Sequence, residues 1–158
     1  MAAVLELVGP PQVRPVAHYW PRVWSEQQLL LERQHDRLEG LLERLIRSHC
    51  DGRSELSPAE ECSEGTACTI LLRQLSLHLR LEERWLAQWG ALCRGHRASH
   101  RQVAAEAIDS FHSGGHLRLQ RLQWLMDIHE WFCQHRDGAD ALAYARASHN
   151  ANLATPER

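Results

Sequence analysis

Residues 66–100 read TACTILLRQLSLHLRLEERWLAQWGALCRGHRASH. Leucine recurs through the first part of this stretch at helical spacing, and the two glycines near its end mark a short break between two helices. Each helix carries two polar residues four positions apart, namely His78 with Glu82 and His96 with His100. Residues four apart on an α-helix differ by about 40° in azimuth and about 6 Å in rise, so both point to one spot. The stretch therefore predicts two neighbouring helices that each direct two possible metal ligands towards the same interior.

Four helical segments are expected in the whole chain. They cover residues 25–48, 66–89, 96–111 and 116–147, and a loop rich in glycine, proline, serine and acidic residues is expected over residues 50–64. No segment alternates with the two-residue period of a strand. The sequence therefore predicts an all-α fold, an antiparallel up-down four-helix bundle that forms one domain over residues 24–148.

The two ends of the chain read differently from this bundle. Residues 1–23 contain four of the six prolines and are predicted to form an irregular N-terminal arm. Residues 149–158 are predicted to be a flexible tail.

Composition narrows the class of protein. The net charge of -2 speaks against nucleic acid as a partner, since nucleic-acid-binding domains usually present a basic face. Five cysteines without a C-x-x-C pair do not suggest a secreted disulfide framework. No apolar run approaches the ~20 residues of a membrane span, and the first residues make a poor signal peptide. We therefore expect a cytoplasmic protein without a membrane span.

Histidine is the compositional outlier, with 11 residues. The first predicted helix contributes His35, and the fourth contributes His135 and Asp140. Burying several imidazoles and carboxylates in an apolar bundle costs several kcal/mol unless they are paired or bind a metal ion. A donor set of imidazole and carboxylate without thiolate suits iron, and also manganese or zinc.

One spacing departs from regular helical geometry. His135 and Asp140 are five residues apart, which places them about 140° from each other on a regular α-helix. An i to i+5 step closes a π-helical turn, and such turns occur mostly as single bulges at functional sites. The sequence predicts a π-bulge near Gly138.

The order of these elements resembles the hemerythrin family. One element lies on each helix: a histidine, then HxxxE, then HxxxH, then HxxxxD, and Trp20, the step Gln34-His35 and a tryptophan four residues before His135 add to the likeness. The resemblance covers about residues 20–145. In the separation between its third and fourth elements, the chain resembles the bacterial members more than the invertebrate ones.

The resemblance implies a role for each ligand. Two non-haem iron ions with an oxo or hydroxo bridge are expected as cofactors. His96, His100 and His135 would bind one iron, and His35 and His78 would bind the other and leave a position open for dioxygen. Glu82 and Asp140 would bridge the two ions. Trp131, Phe132 and Arg136 would lie near the dioxygen pocket, where Phe132 and Arg136 depart from the usual residues of the family.

The resemblance implies reversible dioxygen binding for storage, delivery or sensing. The alternative is a redox enzyme or sensor that handles peroxide or nitric oxide at the same centre, which an inward Arg136 would favour and an outward one would not. A helical scaffold with an incidental metal is a third interpretation. A ferritin-like carboxylate site needs two E-x-x-H motifs, whereas only residues 32–35 fit one.

Overall fold

The computed structural model describes residues 20–53 and 55–154, and this part of the chain is helical, without a strand. The bounds are α1 Trp24–His49, α2 Pro58–Gln88, α3 Arg94–Gly114, α4 Arg118–His135, a π-helical segment Arg136–Asp140, and α5 Ala141–Ala154. α4, the π-helical segment and α5 follow one another directly and form one interrupted fourth helix. α1 and α3 each pack against both α2 and α4. The predicted all-α four-helix bundle is confirmed.

The apolar core consists of two clusters with polar residues between them. Leu31 on α1 and Trp85 on α2 belong to one cluster, and Leu38 and Leu79 belong to the other. The buried His35 lies between these positions on α1, and the buried Glu82 lies between them on α2. The repeat that buries leucine on one face of each helix therefore also buries the polar side chains that share this face.

The start of α2 corrects the sequence-based boundary. The helix begins at Pro58, eight residues before the predicted start, so much of the expected loop 50–64 is helical. Ser57 accepts a hydrogen bond from the backbone N–H of Glu60, whose carboxylate accepts one from the backbone N–H of Ser57. This capping box, followed by proline at the first helical position, starts a helix where glycine, proline and serine content suggested a loop.

An ion-pair network at the start of this helix joins it to the end of α1 and the start of α4. Glu64 of α2 lies 3.0 Å from Arg118 and 2.9 Å from Arg121, both at the start of α4. The Nε2 atom of His49, a buried residue at the end of α1, lies 3.2 Å from the same carboxylate. Although burial raises the pKa of Glu64, hydrogen bonds from the two arginines outweigh that effect and lower it. Acidic residues expected in a solvated loop therefore join three helices.

The interruption of the fourth helix is the predicted one. Residues Arg136–Asp140 form the π-helical turn, so the expectation of a π-bulge near Gly138 is confirmed. The wider turn rotates Asp140 onto the side of the helix that His135 faces, and both residues are buried.

The C-terminal helix extends further than expected. Residues 149–154, predicted as part of a flexible tail, continue α5 as far as Ala154. Ala147 and Ala151 are fully buried, and Asn150 donates a hydrogen bond to the carbonyl of Trp89 at the end of α2. These contacts stabilise the last turns. Residues 1–19 of the predicted arm and the last four residues of the predicted tail lie outside the described residues.

Within the described ranges, none of the helices has the length and apolar character needed to cross a lipid bilayer.

Candidate metal centre

The seven predicted ligands come together in the middle of the bundle. α1 provides His35, α2 provides His78 and Glu82, and the other helices provide the rest. All seven are at most 8% exposed, and Glu82 is fully buried. Their ligand atoms form two overlapping groups that share Glu82: Glu82, His96, His100, His135 and Asp140; and His35, His78 and Glu82.

Three imidazoles meet on one side of the cluster. The Nε2 atom of His135 lies 2.9 Å from Nε2 of His100 and 3.3 Å from Nε2 of His96. Two donors bound at about 2.1 Å to one metal ion are about 3.0 Å apart at octahedral angles and about 3.4 Å apart at tetrahedral angles. The spacing of the His135 nitrogen from the other two is therefore that of ligands to a single ion, and all three nitrogens lie within 4.8 Å of one another.

Each carboxylate offers its two oxygens to different histidines. Asp140 Oδ1 lies 3.0 Å from His135 Nε2 and 3.3 Å from His96 Nε2, whereas Oδ2 lies 3.2 Å from His35 Nε2. Glu82 Oε2 lies 3.3 Å from His100 Nε2, and Oε1 lies 3.7 Å from His35 Nε2. Both acids therefore stand between the three-histidine side and His35.

The two-histidine side pairs residues from α1 and α2. The ring centroids of His35 and His78 are 4.4 Å apart in an edge-on arrangement. His78 is less closely placed than the other histidines, with its Nε2 atom 4.0 Å from Glu82 Oε2. Two imidazoles on this side against three on the other make the cluster unequal.

Neighbouring side chains orient two of these imidazoles. The Nδ1 atom of His78 lies 3.0 Å from Gln34 Oε1, and Nδ1 of His100 lies 3.2 Å from Glu83 Oε1. An acceptor at Nδ1 keeps the proton there and leaves Nε2 with a free lone pair for a metal ion. In both residues Nε2 points into the cluster. Gln34 therefore acts on a histidine of another helix as well as preceding His35 in sequence.

The titration behaviour of the cluster follows from burial and from charge. Burial lowers the pKa of His78 well below its ordinary value, and burial together with neighbouring imidazoles lowers that of His100 to about 3. Burial also lowers the pKa of His96, but Asp140 and Glu82 outweigh it and raise that pKa to about 9. Although burial raises the pKa of Asp140, its histidine neighbours hold it well below the usual range.

Among the described residues, several ligand atoms of the cluster have no partner in hydrogen-bond geometry. They are His35 Nε2, His78 Nε2, both carboxylate oxygens of Glu82, and Asp140 Oδ1. An unpartnered buried acceptor costs about 1–3 kcal/mol, and more when it is charged. Metal binding in the cluster would give these atoms partners, and it would also offset the cost of crowding three imidazole nitrogens together. The buried cluster could thus hold a metal ion.

The three residues expected at a dioxygen pocket lie in three different places. Phe132 is buried, with its ring 5.7 Å from that of His35 and 6.3 Å from that of His78. Trp131 stacks on His135 on the opposite side, at 4.5 Å between ring centroids. The Arg136 side chain is outside the cluster, where it donates hydrogen bonds to Asp36 and Glu39 of α1. Of the two orientations that the sequence left open, Arg136 has the outward one, and these two carboxylates hold it there.

Tyr144 belongs to the site although the sequence pattern did not indicate it. Its ring stacks on His35 at 5.7 Å between centroids, and among the described residues its buried hydroxyl has no hydrogen-bond partner. Burial, and then the charge of Glu82, raise the pKa of the phenol well above its usual range. Tyr144 lies four residues after Asp140, so its helical spacing could have indicated that it faces the same site. Glu83, next to Glu82, was also missed in the sequence.

Searches of protein-family models, of curated proteins and of solved structures found no significant match to this chain.

Proposed function

We propose that this chain is a hemerythrin-like, non-haem di-iron protein that binds dioxygen reversibly. The observation that carries the proposal is the division of the cluster around its two carboxylates. Glu82 and Asp140 each direct one oxygen to the three-histidine side and the other to His35. A single ion would use one side of each carboxylate, whereas two ions would use both. The arrangement therefore favours a pair of ions with unequal coordination.

The donor set favours iron among the possible metals. The seven ligands are imidazole nitrogens and carboxylate oxygens without a thiolate, which suits iron better than a metal that prefers sulfur. Two bound iron ions would supply the electrons for reversible dioxygen binding, which no side chain of the cluster can provide. The unequal division leaves fewer protein ligands beside His35 and His78, and we place the dioxygen position there.

The surroundings of His35 fit a small, uncharged ligand. The rings of Phe132 and Tyr144 each lie 5.7 Å from the His35 ring between centroids, and both side chains are buried. The Tyr144 hydroxyl, which lies near Glu82, supplies a hydrogen-bond donor beside these rings. Since its pKa is raised, the phenol stays protonated and able to donate over the working pH range.

The proposal includes the antiparallel up-down path of the helices. The carbonyl of Ser48, near the end of α1, accepts a hydrogen bond from Arg118 at the start of α4. Near the start of α1, Gln28 accepts one from Ser148 of α5. These contacts fit helices that run in opposite directions, as short connections between neighbours require.

The test starts from protein that is loaded with iron and reduced under anaerobic conditions. Air is then admitted and the visible spectrum is followed. We expect about two iron ions per chain and a charge-transfer band that appears with oxygen and disappears when oxygen is removed. Repeated cycles should return the same amplitude. Rapid, irreversible conversion to the diferric form would contradict reversible binding, and the absence of iron would contradict the di-iron proposal as a whole.

Tyr144 favours one specific alternative, a redox enzyme that turns over peroxide, because a buried phenol can donate a proton. Tyr144→Phe separates the two functions. If the hydroxyl only donates a hydrogen bond to bound dioxygen, we expect a loss of about 1 kcal/mol, or about fivefold in oxygen affinity. If it acts as a general acid, steady-state peroxide consumption should fall by about 10² or more. Wild-type protein that consumes no peroxide would exclude the alternative.

A further inference from the structure

A second group of possible ligands lies outside the buried centre, between α1 and α4. It consists of Glu39, His129 and Cys133, whose ligand atoms all lie within 4.8 Å of one another. His129 and Cys133 are four residues apart on α4, so the helix directs both side chains the same way. Glu39 approaches them from α1, and all three side chains are half-buried.

The distances within this group match the coordination shell of a small cation. Cys133 Sγ lies 3.7 Å from His129 Nε2 and 3.8 Å from Glu39 Oε1. Zinc bonds of about 2.3 Å to sulfur and about 2.0–2.1 Å to nitrogen or oxygen, at tetrahedral angles, separate such donors by about 3.5 Å. The separation of the thiol from each of the other two ligand atoms would therefore need to shrink by only a few tenths of an ångström, and those two atoms lie within 4.8 Å of each other.

Glu39 is held in place for this role. Its Oε2 atom accepts a hydrogen bond from Arg136, which leaves Oε1 directed towards the thiol. A carboxylate whose outer oxygen is fixed by a donor resembles the supported ligands of metal sites. The carboxylates of Glu39 and Asp137 place negative charge close to the thiol, which would attract a cation.

We propose that Glu39, His129 and Cys133 form an accessory site for one divalent cation of the zinc type, with the fourth position open to water. One soft and two harder donors select a borderline metal, and three protein ligands with an open position are typical of accessible zinc sites. The ion would link α1 to α4. The site does not depend on the proposed di-iron function, because it shares no ligand with the buried cluster.

Cobalt(II) is the probe, because a cobalt–thiolate bond gives a near-ultraviolet charge-transfer band that a centre of imidazoles and carboxylates lacks. We expect anaerobic titration of the full chain to produce this band in the wild type and to bind one more cobalt ion than Cys133→Ser binds. The band should be absent in Cys133→Ser, and His129→Gln should weaken cobalt binding at this site by tenfold or more.

The matched control is Cys62→Ser, which removes an exposed thiol on α2 and should leave the band unchanged. Circular dichroism checks that each variant is folded. The cobalt titration of His129→Gln provides a second test in a chain that keeps the Cys133 thiol. A wild type without the band, or an equal band in Cys133→Ser, would overturn the proposal. If Cys133→Ser loses the cobalt band but keeps the oxygen-dependent visible spectrum of the iron-loaded protein, the two metal sites are independent.

Discussion

Glu82→Gln is expected to lower the iron content of the purified protein from about two ions per chain to below one. Glu82 is fully buried, and its two oxygens face different histidines. Within the part of the chain that the structure describes, neither oxygen has a partner in hydrogen-bond geometry. Glutamine has nearly the same shape but removes the negative charge and one of the two acceptor oxygens. Both ions would lose a ligand at once. Metal analysis after gel filtration measures the effect.

Glu83→Gln is the matched control, because it makes the same chemical change at the adjacent position. Glu83 contacts Nδ1 of His100 and not the interior of the cluster. Loss of such an orienting partner typically weakens metal affinity by about 10–100-fold, so both ions should still bind when metal is in excess. If Glu82→Gln held two ions as tightly as the wild type does, the proposed bridging role would be wrong.

Removal of the metal is expected to lower the melting temperature by about 10–20 °C. An ion present at about 100 times its dissociation constant stabilises the folded state by about 2.7 kcal/mol, and two such ions contribute about 5.4 kcal/mol. For a chain of this size, 1 kcal/mol corresponds to about 2–4 °C. Thermal unfolding of the iron(II)-loaded protein against the chelated protein, both anaerobic, measures the difference.

This difference should increase between pH 7 and pH 9. The pKa of His96 in the metal-free fold is raised to about 9, so below that pH a metal ion must displace a proton from this imidazole. The raised pKa stabilises the metal-free protein at low pH, and this contribution is lost as the pH rises from about 6.5 through about 9. Both effects widen the gap. A melting-temperature difference that is the same at the two pH values would argue against metal binding through His96. An undiminished increase with pH in Glu82→Gln would argue against it as well.

The paired candidate ligands could be predicted from sequence because the two members of each pair lie on one helix. Spacing alone placed His78 with Glu82, and the five-residue step from His135 to Asp140 led to the π-helical turn that the structure contains. Helix boundaries were harder to predict. The capping residues Ser57 and Glu60 stand in a segment whose composition suggests a loop, and the local hydrogen bonds of the cap outweigh that composition.

Contacts between helices could not be predicted from the sequence pattern. Arg136 could have pointed inwards or outwards, and the two carboxylates of α1 that hold it outside are about a hundred residues away in the chain. Tyr144 meets His35, and Glu39 meets Cys133, because α1 packs against the fourth helix at one particular rotation. Periodicity specifies the face of a helix but not the partner that this face meets.

The sequence by itself determined which side chains share one face of one helix, since the α-helical repeat is a property of the local backbone. It therefore determined the all-α class and the paired candidate ligands. Only the tertiary structure decided how five imidazoles and two acids divide around Glu82 and Asp140, and that a phenol and a separate thiol-containing group lie nearby. These features depend on the rotation and depth at which helices pack, which are set by the fit of side chains across the whole core.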